Sequence, residues 1–226
     1  MYAILYVVHL VRGIIQLMSR SPTPRRHHHL SRESIARAAL ELIDRDGLAG
    51  LSMHKLAAEL NVRATNLYPY VTDKESLLSD VLGLLLSEVD LSERPGLGWE
   101  DCVVAVGASL REMALRHPHA FPLVALASDD DPALISYSGR VSRLFVAAGL
   151  PEECLTSLER LLDAHATGYL LLETRILARL ALGPADDLPS GETESQRALA
   201  DVAGAHDQEE AVRTIIAGFK IRNGLD

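Results

Sequence analysis

The sequence predicts an all-α fold, in which a small N-terminal domain of three helices is followed by a larger helical domain. Apolar residues recur along most of the chain at the spacing of one helix face, for example at Ile35, Ala39 and Leu42. Runs that alternate apolar and polar residues between turn signals, which would predict strands, do not occur. Apolar residues make up 48% of the 226 residues, which is enough for a sizeable core.

Capping signals define the first two helices. Ser31 can cap the first helix, and Gly47 is expected to end it because glycine accepts backbone conformations that other residues avoid. Ser52 can cap a second helix, whose apolar stripe closes at Leu60. Asn61 follows, and asparagine tolerates a left-handed turn better than most residues.

A short third helix is expected from about Ala64 to Tyr70, with a fourth helix behind it. Thr72 and Glu75 have the T-x-x-E spacing of a capping box, so we expect Thr72 to cap the fourth helix. Two helices joined by a tight turn, the second short and polar on its outer face, form a helix-turn-helix. The second helix of this motif enters the major groove of DNA, so the pattern predicts a DNA-binding domain.

The rest of the chain is predicted as helices separated by proline and glycine. Residues 91–98 hold one proline and two glycines and interrupt the helical pattern. Further helices are expected at 99–116, 119–128, 132–148, 151–182 and 208–221, with a loop at 183–195. We therefore divide the chain into a leader and basic tail at 1–30, a helix-turn-helix domain at 31–78 and a regulatory domain at 79–226.

Charge is distributed unequally along the chain, whose formal net charge is −9. Residues 18–74 hold nine Lys or Arg and six Asp or Glu. Residues 75–226 hold twelve Lys or Arg and twenty-five Asp or Glu. A basic N-terminal part followed by an acidic remainder favours contact of the N-terminal part alone with a polyanion. The alternative explanation is that acidic helices simply keep residues 75–226 soluble.

Residues 1–17 are almost wholly apolar. This length is at the short limit for a membrane span, Arg12 interrupts it, and no secretory pattern is present. We expect the natural chain to begin at Met18, with residues 1–17 as an upstream extension; the alternative is a membrane-associating helix. The two cysteines, Cys102 and Cys154, are far apart and fit a reducing cytosol, so the expected location is cytoplasmic.

Polar side chains around the predicted third helix are suited to DNA. Asparagine can pair with adenine through two hydrogen bonds, and threonine can contact a thymine methyl group or a base edge. Tyrosine hydroxyls suit phosphate oxygens, and a lysine in the first turn of a helix hints at an external anion. The candidates are Arg63, Ala64, Thr65, Asn66, Tyr68, Tyr70 and Lys74. Arg20, Arg25, Arg26 and Arg32 of the tail could add phosphate contacts or merely solubilise it.

The stretch GLSMHKLAAELNVRATNLYPYVTDKESLL resembles the N-terminal domain of the TetR/AcrR family of one-component transcriptional repressors. The similarity runs without gaps from about Ile35 to Leu82. It implies a homodimer on a palindromic operator, released when a small molecule enters the C-terminal domain. It adds His54 to the groove-facing positions Ala64, Thr65 and Asn66, and implies phosphate contacts for Tyr68, Tyr70 and Lys74.

Two positions depart from the family pattern. Asn61 stands where a turn glycine is usual, which is chemically tolerable. Pro69 stands where an aromatic or polar residue is usual, and proline cannot donate a hydrogen bond to the carbonyl of Thr65. We therefore expect the third helix to be kinked or shortened near Tyr70.

The resemblance also implies a dimer interface and an effector pocket in the larger domain, which is similar in a looser way to that of tetracycline repressors. The helices at 151–182 and 208–221 would pair with their mates, and Ala164, Ala166, Gly168 and Gly218 would permit close approach. His165, Tyr169 and Glu173 share one helix face and could line a pocket, although interface hydrogen bonds or buried polar groups explain them equally well. The candidate pocket residues are Arg111, His117, His165, Tyr169 and Glu173.

The predicted function is a sequence-specific DNA-binding repressor without cofactor, metal site or catalytic activity. The sequence lacks a nucleophile motif, a metal-ligand spacing and a glycine-rich phosphate loop. One alternative is a regulator that residues 1–17 tether to a membrane. The other is an all-helical enzyme that uses His165 with Asp163 or Glu173.

Overall fold

The computed structural model describes residues 30–181 and 205–225, which form eight α-helices and two short 3-10 helices and contain no strand. The all-α prediction is confirmed. The α-helices are α1 (Arg32–Asp46), α2 (Met53–Glu59), α3 (Lys74–Ser87), α4 (Trp99–Arg116), α5 (Pro122–Leu126), α6 (Pro132–Ala147), α7 (Glu152–Ala181) and α8 (Ala205–Asn223). The 3-10 helices are Leu48–Gly50 and Ala64–Asn66.

Several predictions fall outside the described residues: the apolar leader at 1–17, the tail residues Arg20, Arg25 and Arg26, and the loop at 183–195. None of the described helices is both long enough and apolar enough to cross a membrane. The described residues from Ser31 onward belong to one compact unit. Helix α3 runs without a break through the domain boundary predicted after residue 78, and that boundary stays a prediction.

The first two helices form as their capping signals predict. The Ser31 hydroxyl accepts a hydrogen bond from the Ser34 N–H at 3.1 Å, and Gly47, at φ +74°, ends α1. The Ser52 hydroxyl accepts from the Lys55 N–H at 3.2 Å and begins α2. Helix α1 packs against α3, and their shared core includes the fully buried side chains Ile35, Leu56, Leu67 and Leu77.

Between α2 and α3, one expectation is met and one is not. The third helix is a single 3-10 turn at Ala64–Asn66, which is shorter than the span to Tyr70, as expected because Pro69 has no N–H to continue the hydrogen-bond pattern. The predicted cap at Thr72 is wrong. Asp73 caps α3 instead, and its carboxylate accepts from the Ser76 N–H at 2.7 Å.

Helix α4 contacts α6, α7 and α8. Trp99 at its start packs edge-on against Phe219 of α8, with ring centroids 6.5 Å apart. Met113 near its end is fully buried, as are Phe121 and Leu158. The core is therefore built mostly from aliphatic side chains, as the low aromatic content of 4% predicts.

Candidate nucleic-acid interface and ligand cavity

The recognition segment (residues 61–74) joins α2 to α3 through a tight turn. Asn61 adopts φ +57°, and the Val62 N–H donates to the Ala57 carbonyl at 2.9 Å, which reverses the chain after α2. Asparagine accepts this left-handed conformation at a lower cost than most side chains. Leu67 and Val71 are fully buried and anchor the segment to the core.

Anchoring at these two apolar positions leaves the polar side chains of the segment outside. Tyr68 is 52% exposed and Tyr70 is 38% exposed. The Tyr70 N–H donates to the Leu67 carbonyl at 2.9 Å, so the backbone at Tyr70 stays ordered by a turn despite Pro69. Of the residues predicted to contact DNA, Ala64 is half-buried and the others are exposed: His54, Arg63, Thr65, Asn66, Tyr68, Tyr70 and Lys74.

Lys74 makes a contact that sequence reasoning missed. Its Nζ donates to the backbone carbonyl of Leu51 at 3.0 Å, and Leu51 directly precedes the cap of α2. An ammonium group has three N–H donors, so two remain for other acceptors. The contact fixes the cation beside the starts of both α2 and α3. This contact could not be predicted from the sequence, because its acceptor is a backbone carbonyl 23 residues earlier and every residue type carries such a carbonyl.

Most basic side chains of the first three helical elements are already paired with carboxylates. Arg32 pairs with Asp80 at 2.7 Å, Arg37 with Glu33 at 2.8 Å, Arg45 with Glu59 at 3.1 Å and Lys55 with Asp46 at 3.8 Å. Arg63 and Lys74 have no carboxylate partner in the part of the chain that the structure describes. The two unpaired cations therefore lie near the two ends of the recognition segment.

Helices α4, α6, α7 and α8 line a partly open cavity of about 240 Å³. It is more enclosed than two wider surface grooves of about 750 and 830 Å³ elsewhere on the described residues. Its walls are mainly apolar and include Val106, Val141 and Phe145. Among the five residues predicted for an effector pocket, only His165 lines this cavity.

The polar groups of the cavity lie mostly on α6 and α7. Nε2 of His165 is buried and has no hydrogen-bond partner among the described residues, and desolvation lowers the pKa of this histidine. The ring of Tyr169 packs against that of His165 with centroids 5.6 Å apart. Tyr137 and Asp163, which the sequence did not single out for the pocket, also line the cavity. Desolvation raises the pKa of both groups; the charge of Asp163 adds to the shift of Tyr137, and that of Asp129 to the shift of Asp163.

Arg111 and Glu173 bind each other instead of lining this cavity. Glu173 on α7 is buried with 1% exposure, and Nε of Arg111 on α4 donates to its two oxygens at 3.1 and 3.0 Å. A second guanidinium nitrogen contacts the same carboxylate. A buried carboxylate needs such a partner, so the pair links α4 to α7 as part of the core. Arg111 also borders a separate, smaller cavity of about 110 Å³.

His117 lies outside the cavity, at the junction between the end of α4 and the first helices. Its Nδ1 is 2.7 Å from an oxygen of Asp44 on α1, and its Nε2 is 3.1 Å from an oxygen of Glu88 just after α3. Nδ1 of His119 lies 2.8 Å from the backbone carbonyl of Asp44 and adds a second contact to α1. The sequence pattern identified a polar residue here but not its partners, which are distant in the chain.

Helices α7 and α8 each expose apolar and small residues. On α7, Leu161 is 43% exposed and Leu172 39% exposed, with Gly168 between them. On α8, Gly218 and Ile221 are exposed, the latter to 84%. A Cβ atom added at Gly168 or Gly218 would meet no atom within 4 Å, so both positions face open space in a single chain. Ala166 differs from the other predicted small residues because it lines the cavity.

The sequence matches no family model. It is 38% identical over 120 residues to an HTH-type transcriptional regulator of Saccharopolyspora erythraea, covering 53% of this chain and 51% of the relative. It is 30% identical over 155 residues to the HTH-type transcriptional repressor DrrR1 of Streptomyces coeruleorubidus, covering 66% of this chain and 54% of the relative. The chain thus spans about half the length of these curated relatives.

Solved structures match over a larger part of the chain. Apo ActR from Streptomyces coelicolor has a TM-score of 0.64 and 27% identity, covering 84% of this chain and 94% of that one. ActR in complex with actinorhodin has a TM-score of 0.64 and 26% identity, covering 87% of this chain and 98% of the ActR chain. Mycobacterium smegmatis BioQ, at 22% identity, has a TM-score of 0.67, covers 84% of this chain and 98% of that one, and shows the fold alone. The relatives found by sequence are named HTH-type transcriptional regulators, and ActR, which is similar in fold, is described as a TetR family protein.

Proposed function

The chain resembles TetR-family transcriptional regulators in both sequence and fold, and from this relationship we propose that it is a ligand-responsive repressor. As a homodimer it binds a palindromic operator, and a small molecule releases it. The observation that carries the proposal is the position of Arg63 and Lys74. These unpaired cations flank an exposed polar segment that is held on a rigid helical core.

The recognition segment supplies each kind of group that a DNA contact requires. Arg63 and Lys74 can neutralise phosphates, and the tyrosine hydroxyls can donate hydrogen bonds to phosphate oxygens. Thr65 and Asn66 are exposed in the turn between them and can read base edges. His54 is exposed on α2 and can contact the groove from the neighbouring helix. The carboxylate of Asp73 caps α3 and repels phosphate there, which makes the charge of Lys74 more important for holding one.

A palindromic operator requires two recognition segments about 34–36 Å apart, because this distance separates successive major-groove faces. The exposed apolar and small residues of α7 and α8 provide the contact for a second copy. Gly168 and Gly218 would allow the paired helices to approach closely. Leu161, Leu172 and Ile221 would remove apolar surface from water.

Release by a small molecule requires the cavity to influence the recognition segment, and α6 connects the two. Tyr137 of α6 lines the cavity, while Asp131, the cap of the same helix, accepts a hydrogen bond from Ser79 of α3 at 3.0 Å. Helix α3 begins at Lys74. A ligand that prefers a different position of α6 would therefore shift the population away from the DNA-binding arrangement by its differential affinity alone.

The known relatives support the regulatory part of this proposal. The curated relatives are transcriptional regulators, one of them named a repressor, which favours a regulator over an enzyme. Structures of similar fold include BioQ with its double-stranded DNA operator, at 21% identity and a TM-score of 0.62, and ActR with actinorhodin. We therefore extend DNA binding and ligand response to this chain.

Selection of preferred sites from a random duplex pool tests the proposal. The purified protein should enrich a palindromic sequence whose half-sites lie about one helical turn apart. The doubly substituted variant Arg63→Ala, Lys74→Ala serves as the comparison and should enrich nothing, provided that its circular dichroism spectrum matches that of the wild type. A pool that stays unenriched with folded, dimeric wild-type protein would overturn the proposal.

A further inference from the structure

The end of α4 is held against the first helices by a cluster of four side chains that carry or can carry charge. Both ring nitrogens of His117 face carboxylate oxygens: Nδ1 lies 2.7 Å from Asp44 of α1, and Nε2 lies 3.1 Å from Glu88, just after α3. Arg116, the last residue of α4, donates to the other oxygen of Glu88 at 2.8 and 3.0 Å. The imidazole is only 16% exposed, so water competes weakly for these bonds.

The two carboxylates require two protons on the ring of His117. An ionised carboxylate is only an acceptor, and neutral imidazole carries a proton on one nitrogen only. The imidazolium carries a proton on each nitrogen and satisfies both contacts. Charge leads to the same assignment. Arg116 and an imidazolium together balance the two carboxylates, whereas a neutral ring leaves the cluster with one unpaired negative charge.

The other charged and titratable groups near this cluster do not replace the second proton. Nδ1 of His119 lies 2.8 Å from the backbone carbonyl of Asp44, and a single N–H satisfies that acceptor, so this contact persists when the ring is neutral. Arg175 of α7 lines a surface groove together with His119 and pairs with neither carboxylate within the described residues. Oδ1 of Asp44 is buried and has no partner among those residues. Asp44 therefore depends on the ring of His117 alone.

Loss of one ring proton has unequal effects on the two contacts of His117. Asp44 has no other donor, whereas Glu88 keeps Arg116, so the remaining proton is favoured on Nδ1. The lone pair of Nε2 then faces the Glu88 oxygen at 3.1 Å, and this contact becomes repulsive. The link from His117 to the residue that follows α3 therefore exists only while the ring is charged.

The helix that carries this cluster also borders the ligand cavity. Leu110 of α4 lines the cavity, and His117 follows it by seven residues, which is about two helical turns. On the other side of the contact, Asp44 lies two residues before the end of α1, and Glu88 directly follows α3. Helix α3 begins at Lys74, the last residue of the recognition segment. The charged ring thus fixes α4 relative to α1 and to the helix that follows the recognition segment.

We propose that His117 is a positioning residue whose doubly protonated ring holds α4 on α1 and on the end of α3, so that operator binding weakens as the pH rises and the ring becomes neutral. A loosened junction leaves the recognition segment more orientations, and ordering it on DNA then costs more free energy. An ordinary histidine changes its charge between about pH 5 and 8, so the effect falls within a range that is accessible in solution. The inference rests on the proposed function only for its effect on operator binding.

NMR of the full-length protein, labelled with nitrogen-15, measures the protonation of His117 without DNA. The ring nitrogens are assigned in the wild type through the backbone, so this measurement does not require a folded variant. We expect both nitrogens to carry protons at about pH 5.5, and Nδ1 alone to keep its proton once the ring is neutral. A ring that is neutral at about pH 5.5, or that retains its last proton on Nε2, would overturn the inference.

Operator affinity over the same range of pH tests the positioning role. His117→Gln retains one donor group but cannot carry a charge, and His119→Gln makes the same chemical change at a contact that needs only one proton. Affinity for a site-selected duplex is measured by fluorescence anisotropy between about pH 5.5 and 8. We expect the wild type to bind about fivefold more tightly than His117→Gln at pH 5.5 and within about twofold of it at pH 8. His54 is present in every variant, so its own titration cancels in these ratios.

The control variant should follow the wild type at every pH. A ratio between the wild type and His117→Gln that does not change with pH would overturn the inference, as would an equal loss in His119→Gln. Circular dichroism establishes that each variant is folded. If His117→Gln does not fold, Glu88→Gln takes its place, because it removes the carboxylate that faces Nε2 and should show the same pH-dependent ratio.

Failure of this inference is distinguishable from failure of the proposed function. A folded wild type that binds no operator at any pH would reject the proposed function. Intact operator binding by a protein in which the His117 ring is neutral at about pH 5.5 would reject this inference alone.

Discussion

Nδ1 of His117 lies 2.7 Å from a carboxylate oxygen of Asp44, and this contact joins the end of α4 to α1. The other ring nitrogen lies 3.1 Å from Glu88, just after α3. One imidazole, only 16% exposed, thus bridges α1 and the residue that follows α3. The other oxygen of Asp44, Oδ1, is buried and has no partner among the described residues, so its carboxylate depends on His117.

Replacing His117 by alanine should lower the free energy of unfolding by about 1–3 kcal/mol, because a largely buried carboxylate then loses its partner. Urea unfolding monitored by circular dichroism measures the change. Arg116→Ala is the matched control, since Arg116 contacts the same Glu88 at 2.8 Å but is 49% exposed. That surface pair should contribute less than about 1 kcal/mol. Equal effects of the two substitutions would contradict a special role for His117.

Lys74→Ala should weaken binding to every duplex sequence to a similar extent. A phosphate contact releases about one counterion, so the slope of log affinity against log salt should fall by about one. Binding is measured by fluorescence anisotropy over a range of salt concentrations. Arg143→Ala removes the same charge from an exposed position on α6 and should leave the slope unchanged. If the two variants behave alike, Lys74 contributes only general charge.

Asn66→Ala should change which base is preferred at one position of each half-site. The Asn66 side chain is exposed and makes no hydrogen bond within the described residues, so it is available for a base edge. A bidentate contact discriminates against the wrong base by about 1–3 kcal/mol. Parallel site selection with wild type and variant measures the preference. Tyr68→Phe is the control, since loss of a phosphate contact should weaken binding without altering the preferred sequence.

The pH dependence of stability should reveal the desolvated His165. Burial lowers the pKa of this side chain below its ordinary value of 6.5, so the unfolded chain takes up a proton more readily than the folded protein. Stability contributed by the neutral ring is therefore complete above pH 6.5 and is lost as the pH falls below it. The His165→Phe variant should lose less stability than the wild type between pH 7.5 and 5, as measured by chemical denaturation at each pH. Parallel curves for the two proteins would show that the ring is not desolvated.

Features of the fold that depend on neighbouring residues were predictable from the sequence. Ser31, Ser52 and Gly47 act as caps or terminators within one turn of the chain, and Asn61 takes the left-handed turn expected of it. Thr72 failed as a cap because Asp73, one residue later, supplies a carboxylate to the same helix end. Local spacing alone did not decide between two adjacent oxygen-bearing side chains.

The candidate site was less predictable where it depends on contacts between distant segments. The residues of the recognition segment that the sequence predicted to contact DNA are exposed, apart from the half-buried Ala64, and the structure shows that the buried Leu67 and Val71 anchor the segment between them. Glu173 shares a helix face with His165, but its carboxylate is bound to Arg111, 62 residues earlier. Tyr137 and Asp163 reach the cavity from different helices, and no periodic pattern links them. Polar residues on one helix face therefore indicated candidates, but tertiary packing determined their partners.

Two copies of the recognition segment are expected to bind one DNA duplex. Native mass spectrometry of the purified protein with a site-selected duplex of about 20–30 base pairs measures this stoichiometry, since two half-sites one turn apart fit within that length. We expect a complex of two protein chains and one duplex in low salt, which dissociates as salt is raised. Folded protein that remains free of the duplex in low salt, or that binds it only as single chains, would rule out this mode of binding.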